Sequence, residues 1–389
     1  MTVLPRPWHL HRLERLLARN PVVAMLGARQ VGKSTLARQL LGRRRGPAEY
    51  FDLESTQDLA RLREPSVVLQ PLRGLVVLDE VHRLPEIFRV LRVLADRPRA
   101  PARFLVLGSA SENLLRQASE SLAGRIAFHG VDGFALEETG AHRLNALWLR
   151  GGFPRSFLAR SEEASREWRQ DFVRTFLERD VPQFGIRVAS STLGRFWAML
   201  AHAHGQIWSS ADFASSFGVA HTTVRHYLDL LVSTFVVQQL LPWHENLRKR
   251  QVKAPKVYVG DSGLLHTLLD IRSLRDLERH PKLGASWEGF AIAQVTMRLR
   301  ARPRECYFWA THAGAELDLL VVRGSTRLGF EIKRTDAPVL TPSMRIALHD
   351  LKLDRLDVIH AGRHTFPMAK KVRAVALERI IEDLEPLPS

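Results

Sequence analysis

This sequence has almost no cysteine and no long apolar run. Cys306 is the only cysteine among 389 residues, so the chain can form neither an internal disulfide nor a cluster of metal-binding thiolates, which suits a reducing compartment. The N-terminal stretch lacks a continuous apolar signal core, and polar side chains interrupt the most apolar later stretch, from Leu228 to Trp243. We therefore expect a cytoplasmic protein with no membrane-spanning segment.

Lysine is also scarce, and nearly all the basic residues are arginine. Lys33 is the only lysine before Lys249, so a lysine that persists inside a motif carries extra weight. Lysine and arginine together number 57 against 41 aspartates and glutamates, a net charge of +16. Such an excess favours binding to polyanions, of which nucleic acid is the commonest. The length of the chain predicts two to four domains.

The segment PVVAMLGARQVGKSTLARQLL predicts a strand from Pro21 to Leu26, a glycine-bounded loop and a helix that begins near Lys33. In such a loop the backbone amides face a phosphate, Lys33 reaches the terminal phosphates and Ser34 ligates magnesium. A glycine turn that caps a helix is the alternative. The expected ATP-binding residues are Gly27, Ala28, Arg29, Gln30, Val31, Gly32, Lys33, Ser34 and Thr35.

Two further apolar strands end in polar residues. GLVVLDE ends in Asp79 and Glu80, which resemble a Walker B pair: Asp79 would hold magnesium, and Glu80 would polarise the attacking water. Acidic residues that merely end a strand are the alternative. RFLVLGSAS ends at Ser109, which could sense the terminal phosphate or simply initiate the next helix.

Strands alternate with helices over roughly residues 20–130, which predicts a three-layer α/β domain. Arg125 in SLAGR and Arg179 in FLERD could each reach the phosphates of a neighbouring subunit, as ring-forming ATPases often require. An arginine on a solvated helix is the alternative for both. A homo-oligomer, with a ring as one form, follows as an expectation.

The residues from Gln206 to Trp243 predict a short helix, a turn at Gly218, a longer helix and a β-branched strand pair. This order is typical of a helix-turn-helix with a wing, which can bind DNA or act as a lid or protein contact. A basic run follows, where phosphate contact and a solvated loop are both open. The expected DNA-binding residues are Thr222, Thr223, Arg225, His226, Arg248, Lys249 and Arg250.

The stretch AELDLLVVRGSTRLGFEIKR predicts a hairpin that turns at Gly324 and Ser325. If Arg323 faces Thr326, paired residue numbers sum to 649, so Asp318 lies opposite Glu331 and Glu316 lies opposite Lys333, all on one face. Directly opposed carboxylates repel unless a proton or cation lies between them, and a divalent metal is the natural resolution.

Asp318, Glu331 and Lys333 in this spacing form the signature of PD-(D/E)xK nucleases, in which two acids bind magnesium and the lysine orients water. Glu288, on a predicted helix upstream, resembles the additional acid of that fold. A salt-bridged structural hairpin and an inactive nuclease fold are the alternatives. His202 and His204 lack acidic or cysteine neighbours in sequence, so we expect both on a helix surface rather than at a metal.

Several of these segments together resemble one family, namely GARQVGKS, VVLDE, GSAS, SLAGR, LRGGFPRS, FLERDVPQFG and the WEGF, ELDL and EIK series. The family is that of prokaryotic AAA-type ATPases with a C-terminal domain of unknown function 4143. The resemblance implies an α/β P-loop ATPase core, a helical lid or linker, a winged-helix domain and a restriction-endonuclease-like α/β domain. The expected boundaries are 1–140, 141–204, 205–255 and 256–389.

The leading hypothesis is an ATP- and Mg²⁺-dependent DNA-processing ATPase, acting as a motor or remodeller on forked or branched DNA. The alternative from another class is a nucleotide-dependent switch or transcriptional regulator whose nuclease-like domain is an inactive platform for DNA or protein. Both hypotheses keep the ATP site at Lys33.

Overall fold

The computed structural model describes residues 4–98, 101–108, 120–183, 188–244 and 252–388. The residues predicted at Ser109, Arg248, Lys249 and Arg250 lie outside these ranges. Contacts divide the chain into two compact units, Met1–Gly133 with Ser233–Phe235 and Phe134–Val232 with Val236–Ser389. Within the described ranges, no helix is long and apolar enough to cross a bilayer.

The first unit is built on a five-stranded parallel sheet with the order β2-β3-β4-β1-β5. The strands are β1 (Val22–Leu26), β2 (Ala48–Asp52), β3 (Gly74–Asp79), β4 (Ala102–Gly108) and β5 (Ile126–Gly130). Its helices are α1 (Pro7–Arg19), α2 (Lys33–Arg43), α3 (Thr56–Arg61), α4 (Pro65–Leu69) and α5 (Ile87–Ala95). The central strands β1, β3 and β4 are short apolar runs with both faces buried, as parallel strands covered by helices must be. The predicted α/β architecture with a parallel sheet is confirmed.

The strand order brings the carboxyl ends of two strands together at one edge of this sheet. All strands are parallel, so the carboxyl ends of β1 and β3 meet at the same edge, with only β4 between them. Ligands of open parallel sheets bind at this edge. The loop after β1 and the acidic pair after β3 are therefore placed together by topology.

The second unit begins with a helical region. Its helices are α6 (Leu136–Thr139), α7 (Leu144–Arg150), α8 (Pro154–Phe157), α9 (Glu162–Thr175), α10 (Val181–Gln183) and α11 (Ser190–His202), with a π-helical turn at Phe176–Asp180 between α9 and α10. The side chain of Ser161 caps α9 by accepting a hydrogen bond from the Ala164 amide at 3.1 Å.

A helix-turn-helix follows α11. Its parts are β6 (Gln206–Ile207), α12 (Ser210–Phe217), α13 (His221–Ser233), β7 (Val237–Pro242) and β8 (Lys256–Val259). The Ser209 side chain accepts a hydrogen bond from the Asp212 amide at 3.3 Å and so caps α12. Gly218 ends α12 with φ of 62°, a conformation that favours glycine, and the chain reverses there into α13. The predicted helix, turn and second helix are confirmed as elements.

The remaining strands of the second unit join β6, β7 and β8 in one sheet. Its strands are β9 (Cys306–Ala310), β10 (Glu316–Arg323), β11 (Thr326–Lys333), β12 (Arg355–His360), β13 (Phe366–Ala369) and β14 (Val372–Ala376). The described strands form one sheet with the order β13-β14-β12-β11-β10-β9-β7-β8-β6. Its helices are α14 (Ser262–Leu268), α15 (Leu274–Arg279), α16 (Leu283–Leu299), α17 (Pro342–Asp350) and α18 (Ile380–Asp383).

One strand joins the helix-turn-helix to this larger sheet. β7 pairs with β8 in antiparallel orientation and with β9 in parallel orientation. The boundary expected between residues 255 and 256 would place β8 in the last domain, yet β8 pairs with β6 and β7. The sheet thus runs without interruption across that position.

The β10–β11 hairpin has the expected register. Arg323 pairs with Thr326 and Leu319 pairs with Phe330, so paired residue numbers sum to 649. Asp318 and Glu331 come next on their respective strands, and both side chains are buried. The two-residue turn at Gly324 and Ser325 therefore determines which side chains share a face.

A buried histidine connects three helices of the second unit. The Nδ1 atom of His266 lies 3.0 Å from the Leu149 carbonyl oxygen, and its Nε2 atom lies 2.7 Å from Ser286 Oγ. Trp148 Nε1 donates to the same Ser286 oxygen at 3.0 Å. The carbonyl requires a donor at Nδ1, so Nε2 accepts from the serine hydroxyl and the ring is neutral. Burial lowers the pKa of His266 to about 4.

Candidate ATP site and acidic cluster

The loop between β1 and α2 passes close to neighbouring backbone. A Cβ atom at Gly27 would lie 2.1 Å from the Val131 carbonyl oxygen, so only glycine fits there. Gly32 has φ of 102° and immediately precedes α2. The backbone amides of the turn between these glycines lie at the N-terminus of α2. The helix dipole is positive there, so a phosphate binds favourably.

Lys33 is the first residue of α2 and is 5 % exposed. Its Nζ atom donates to the carbonyl oxygens of Gly27 and Ala28, both at 2.9 Å. Burial lowers the pKa of Lys33 to about 8, although the charges of Glu80 and Asp79 oppose this shift. The ammonium is thus mostly protonated at pH 7 and is held over the loop that would receive a phosphate.

Asp79 ends β3, and Glu80 follows it in the left-handed region with φ of 53°. This region is uncommon for a residue with a side chain and is often found at functional sites. The Glu80 carboxylate lies 3.2 Å from His82 Nδ1. Burial opposes ionisation of Glu80, but the hydrogen bond with His82 and the charge of Lys33 outweigh it and lower its pKa. Glu80 is therefore an ionised carboxylate within electrostatic reach of Lys33.

Tyr50 belongs to this site, although the sequence analysis did not identify it. It lies on β2 opposite Val77 of β3, and its hydroxyl donates to Asp79 Oδ2 and interacts with Ser34. Burial and the hydrogen bond to Asp79 raise the pKa of Tyr50, so the phenol remains a donor. Only the lateral pairing of β2 with β3 reveals the contact, and no local motif signals it.

These residues fit a nucleoside triphosphate with Mg²⁺. The glycine-bounded loop and the dipole of α2 suit phosphates, Lys33 provides a buried cation, and the Ser34 hydroxyl and Asp79 carboxylate are oxygen ligands of the kind that Mg²⁺ prefers. The roles of Ser34, Asp79 and Glu80 stay predictions, but the structure brings these side chains together.

The two arginines expected to act as fingers lie in different settings. The Arg125 carbonyl accepts from the Val22 amide at the start of β1, which places Arg125 at the sheet edge opposite the phosphate loop. Its guanidinium holds both oxygens of Asp96, at 2.5 and 2.9 Å. Arg179 is exposed on the π-helical turn. The geometry thus does not favour Arg125 as a finger.

The second helix of the helix-turn-helix has two distinct faces. Val224 and Leu228 are buried, whereas Thr222, Arg225 and His226 are exposed. Thr223 is half-buried. The exposed side chains recur at the spacing of one helical face and include one permanent positive charge.

Four carboxylates of the second unit lie close together, and three of them surround a lysine. We name Glu288, Glu316, Asp318 and Glu331 the acidic cluster. Lys256 on β8 is 4 % exposed, and its Nζ atom lies 3.3 Å from Glu288, 3.7 Å from Asp318 and in contact with Glu316. Burial opposes its charge, but the carboxylates outweigh burial and raise the pKa of Lys256. The ammonium is therefore a permanent cation.

Asp318 and Glu331 form the other side of the cluster. Asp318 Oδ2 accepts from the Ile332 amide at 2.8 Å, and Glu331 forms an ion pair with Lys333 at 2.7 Å. Burial, with a contribution from the charge of Asp318, raises the pKa of Glu331 to about 7. Burial likewise raises the pKa of Asp318. The expected repulsion between the two acids is therefore present.

The predicted metal set of Glu288, Asp318 and Glu331 overlooked Lys256. No three His, Cys, Asp or Glu side chains in the described ranges are grouped so that they could hold a metal ion. The ammonium lies where Glu288 and Asp318 approach each other, so these acids share a lysine instead. A lysine retained in an apolar strand of an arginine-rich chain was the signal available in the sequence.

The expectation that both histidines of the AHAHG segment lie on a helix surface is wrong for one of them. His202 is exposed, whereas His204 is 2 % exposed. His204 Nδ1 accepts from the Val259 amide at 3.0 Å, and its ring packs edge-on against Tyr258. Tyr258 in turn donates to Glu288 at 2.7 Å. Because α11 ends just before it, His204 turns into the core behind the acidic cluster.

Three family matches cover most of the chain. They are an AAA domain over residues 19–140, the domain of unknown function DUF8612 over 141–275 and the domain of unknown function DUF4143 over 283–380. The uncharacterized proteins Rv2008c of Mycobacterium tuberculosis and Mb2031c of Mycobacterium bovis are each 50 % identical over 370 residues, covering 95 % of this chain and 83 % of theirs.

A solved structure has the same fold over much of the chain. The Walker-type ATPase paby2304 of Pyrococcus abyssi matches with a TM-score of 0.50 and 16 % identity, covering 69 % of this chain and 96 % of that protein. The predicted AAA-type P-loop ATPase fold with a DUF4143 domain is confirmed at this level.

Proposed function

We propose that this chain, which belongs to the family of AAA-domain proteins that includes Rv2008c of Mycobacterium tuberculosis, hydrolyses ATP and uses the energy to move DNA. The ionised Glu80 beside Lys33 supports hydrolysis most directly, because a site that only binds nucleotide needs no base there. The net charge of +16 and the exposed face of α13 support DNA as the partner.

Each side chain has a defined task in this proposal. Lys33 and the amides before α2 bind and orient the phosphates of ATP, while Ser34 and Asp79 hold Mg²⁺. The ion would neutralise charge on the β- and γ-phosphates. Glu80 orients the attacking water and accepts its proton, and His82 keeps the Glu80 carboxylate in place.

Steady-state ATP turnover with matched variants tests the site. Lys33→Ala should abolish turnover, and Glu80→Gln should lower it by about 100-fold or more while ATP binding persists. Glu86→Gln removes an exposed acid from the same loop and should leave turnover unchanged. Normal turnover in the Lys33 or Glu80 variant would refute the assignment.

DNA is tested by turnover and binding on duplex, forked and junction DNA. We expect stimulation by at least one form and binding that weakens steeply with salt. Arg225→Ala should weaken binding to all sequences and reduce the salt slope by about one, whereas Arg272→Ala, which removes an exposed arginine paired with Asp270, should not. If the protein neither binds DNA at low salt nor shows DNA-stimulated turnover, the motor proposal is excluded.

Assembly follows from the need for an arginine at the phosphates of a neighbouring subunit, and we propose Arg179 for this role. Sedimentation with a non-hydrolysable ATP analogue should show a homo-oligomer, with a ring as the expected form. Arg179→Ala should then lower the maximal turnover at saturating ATP with little change in ATP affinity. A monomer with full turnover would contradict both parts.

The second candidate function is a nucleotide-dependent switch or regulator in which the nuclease-like region binds DNA or protein without cutting it. The position of Lys256 inside the acidic cluster favours this candidate for the last part of the chain. ATP turnover that responds to no form of DNA, together with intact nucleotide binding, would select it over the motor.

A further inference from the structure

We propose that the Lys256 ammonium is the resident cation of the acidic cluster, and that the cluster binds a divalent metal ion only when this ammonium is removed. The inference concerns the second unit alone and does not depend on ATP hydrolysis.

The position of the ammonium supports the first part. Lys256 Nζ lies within 3.7 Å of Glu288 and Asp318 and touches Glu316. The ring of Phe308 lies 5.6 Å from the same atom, a distance at which an aromatic face attracts a cation. These acids come from α16 and β10, so the ammonium occupies the point where two elements converge, as a shared metal ion would.

Backbone pairing fixes this position. Lys256 pairs with Leu240 of β7 and with Ile207 of β6, so strands on both sides hold β8. Tyr258, two residues later, points to the same face and donates to Glu288. An ammonium anchored in this way does not leave the cluster as a surface lysine leaves an ion pair.

A buried acceptor shows that the cluster has capacity beyond the lysine. Glu331 is 6 % exposed, its Oε1 atom is paired with Lys333, and its Oε2 atom has no hydrogen-bond donor among the described residues. Burying a carboxylate oxygen without a donor is costly. This oxygen is thus ready to accept a cation, together with Asp318 on the neighbouring strand.

The same arrangement explains why the wild-type chain excludes a divalent ion. An ion held between Asp318 and Glu288 would lie beside the buried Lys256 ammonium, and like charges repel strongly where water is scarce. Removing the ammonium relieves this repulsion. The carboxylates on α16, β10 and β11 would then have to move together to enclose an ion, because no three of them in the described ranges are grouped to hold one while the lysine is in place. Oxygen donors of this type favour Mg²⁺ or Mn²⁺.

Mn²⁺ titration of the nucleotide-free full-length protein, followed by the electron paramagnetic resonance signal of free Mn²⁺, tests the proposal. The wild-type protein should bind no Mn²⁺ at the acidic cluster, so Asp318→Asn should not change its Mn²⁺ titration. Lys256→Ala and Lys256→Gln should gain one site that is at least about tenfold tighter than any wild-type site. Lys256→Arg should not gain it, because it keeps a cation, and Asp318→Asn should abolish the gained site.

Two results would overturn the inference. One is Mn²⁺ binding by wild type that Asp318→Asn abolishes, which remains measurable even if the Lys256 variants fail to fold. The other is Mg²⁺- or Mn²⁺-dependent cutting of any DNA form by wild type but not by Asp318→Asn. ATP turnover, measured in parallel, keeps this result separate from the fate of the ATPase proposal.

Discussion

The Tyr50 hydroxyl offers a sharp test of the ATP site. Tyr50 donates to Asp79, the carboxylate expected to hold Mg²⁺, and its raised pKa keeps it protonated. Tyr50→Phe removes only this oxygen and preserves the ring. We expect the variant to require more Mg²⁺ for ATP turnover, because carboxylates that bind metals depend on outer hydrogen bonds for their orientation.

The size of the effect follows from the bond. A hydrogen bond to a charged acceptor contributes about 1.5–3 kcal/mol, and each 1.4 kcal/mol is a factor of ten, so the half-saturating Mg²⁺ concentration should rise about 10- to 100-fold. ATP binding without Mg²⁺ should change little, since Tyr50 contacts no residue of the loop between Gly27 and Gly32 by a described hydrogen bond.

The assay is ATP turnover at saturating ATP over a range of Mg²⁺. Tyr307→Phe is a matched control, because its hydroxyl donates to the Arg304 carbonyl in the other unit. A Tyr50→Phe curve that coincides with wild type would show that Tyr50 does not position Asp79. A curve shifted to lower Mg²⁺ would show that the hydroxyl competes with the ion, which contradicts the reasoning.

Three further outcomes are expected. Arg125→Ala and Asp96→Ala should each change ATP turnover by less than about twofold, because their exposed ion pair lies away from the phosphate loop; a hundredfold loss for Arg125→Ala would restore it as a finger. His266 binds its proton in the unfolded chain near pH 6.5 but in the folded chain only near pH 4, so stability should fall as the pH drops through this interval, by about 3 kcal/mol in total. Urea unfolding should show a shallower pH dependence for His266→Asn, and an equal slope would contradict the shift. Ser209→Ala should cost about 1 kcal/mol in the same assay because the Asp212 amide loses its cap, and an unchanged midpoint would argue against it.

The sequence predicted the features that depend on neighbouring residues. The strand, loop and helix around Lys33 are encoded within a short segment, and the register of the β10–β11 hairpin follows from its two-residue turn. Turn chemistry also predicted the reversal at Gly218. In each case the backbone conformation is set by residues within a few positions of each other.

The sequence did not predict contacts that depend on strand order. Tyr50 reaches Asp79 because β2 lies beside β3, and Lys256 reaches the acidic cluster because β8 joins a sheet that also contains β10. The alternation of strands and helices is compatible with several orders. His204 was misplaced for a related reason, since no local pattern shows that the chain after α11 turns inward.

β7 gives the second unit a property that the domain boundary expected at residue 255 hides. One edge of β7 is hydrogen-bonded to β8 and the other to β9. A fragment that ends at residue 255 would leave both edges of β7 unpaired, because β8 and β9 follow that residue. A fragment that begins there would expose the edge of β9 that faces β7, and unpaired strand edges are templates for aggregation. The helix-turn-helix therefore cannot be exchanged between proteins by itself, and a chimaera that exchanges it must also carry the strands that pair with β7. We expect evolution to have changed this region by substitution rather than by exchange of whole segments.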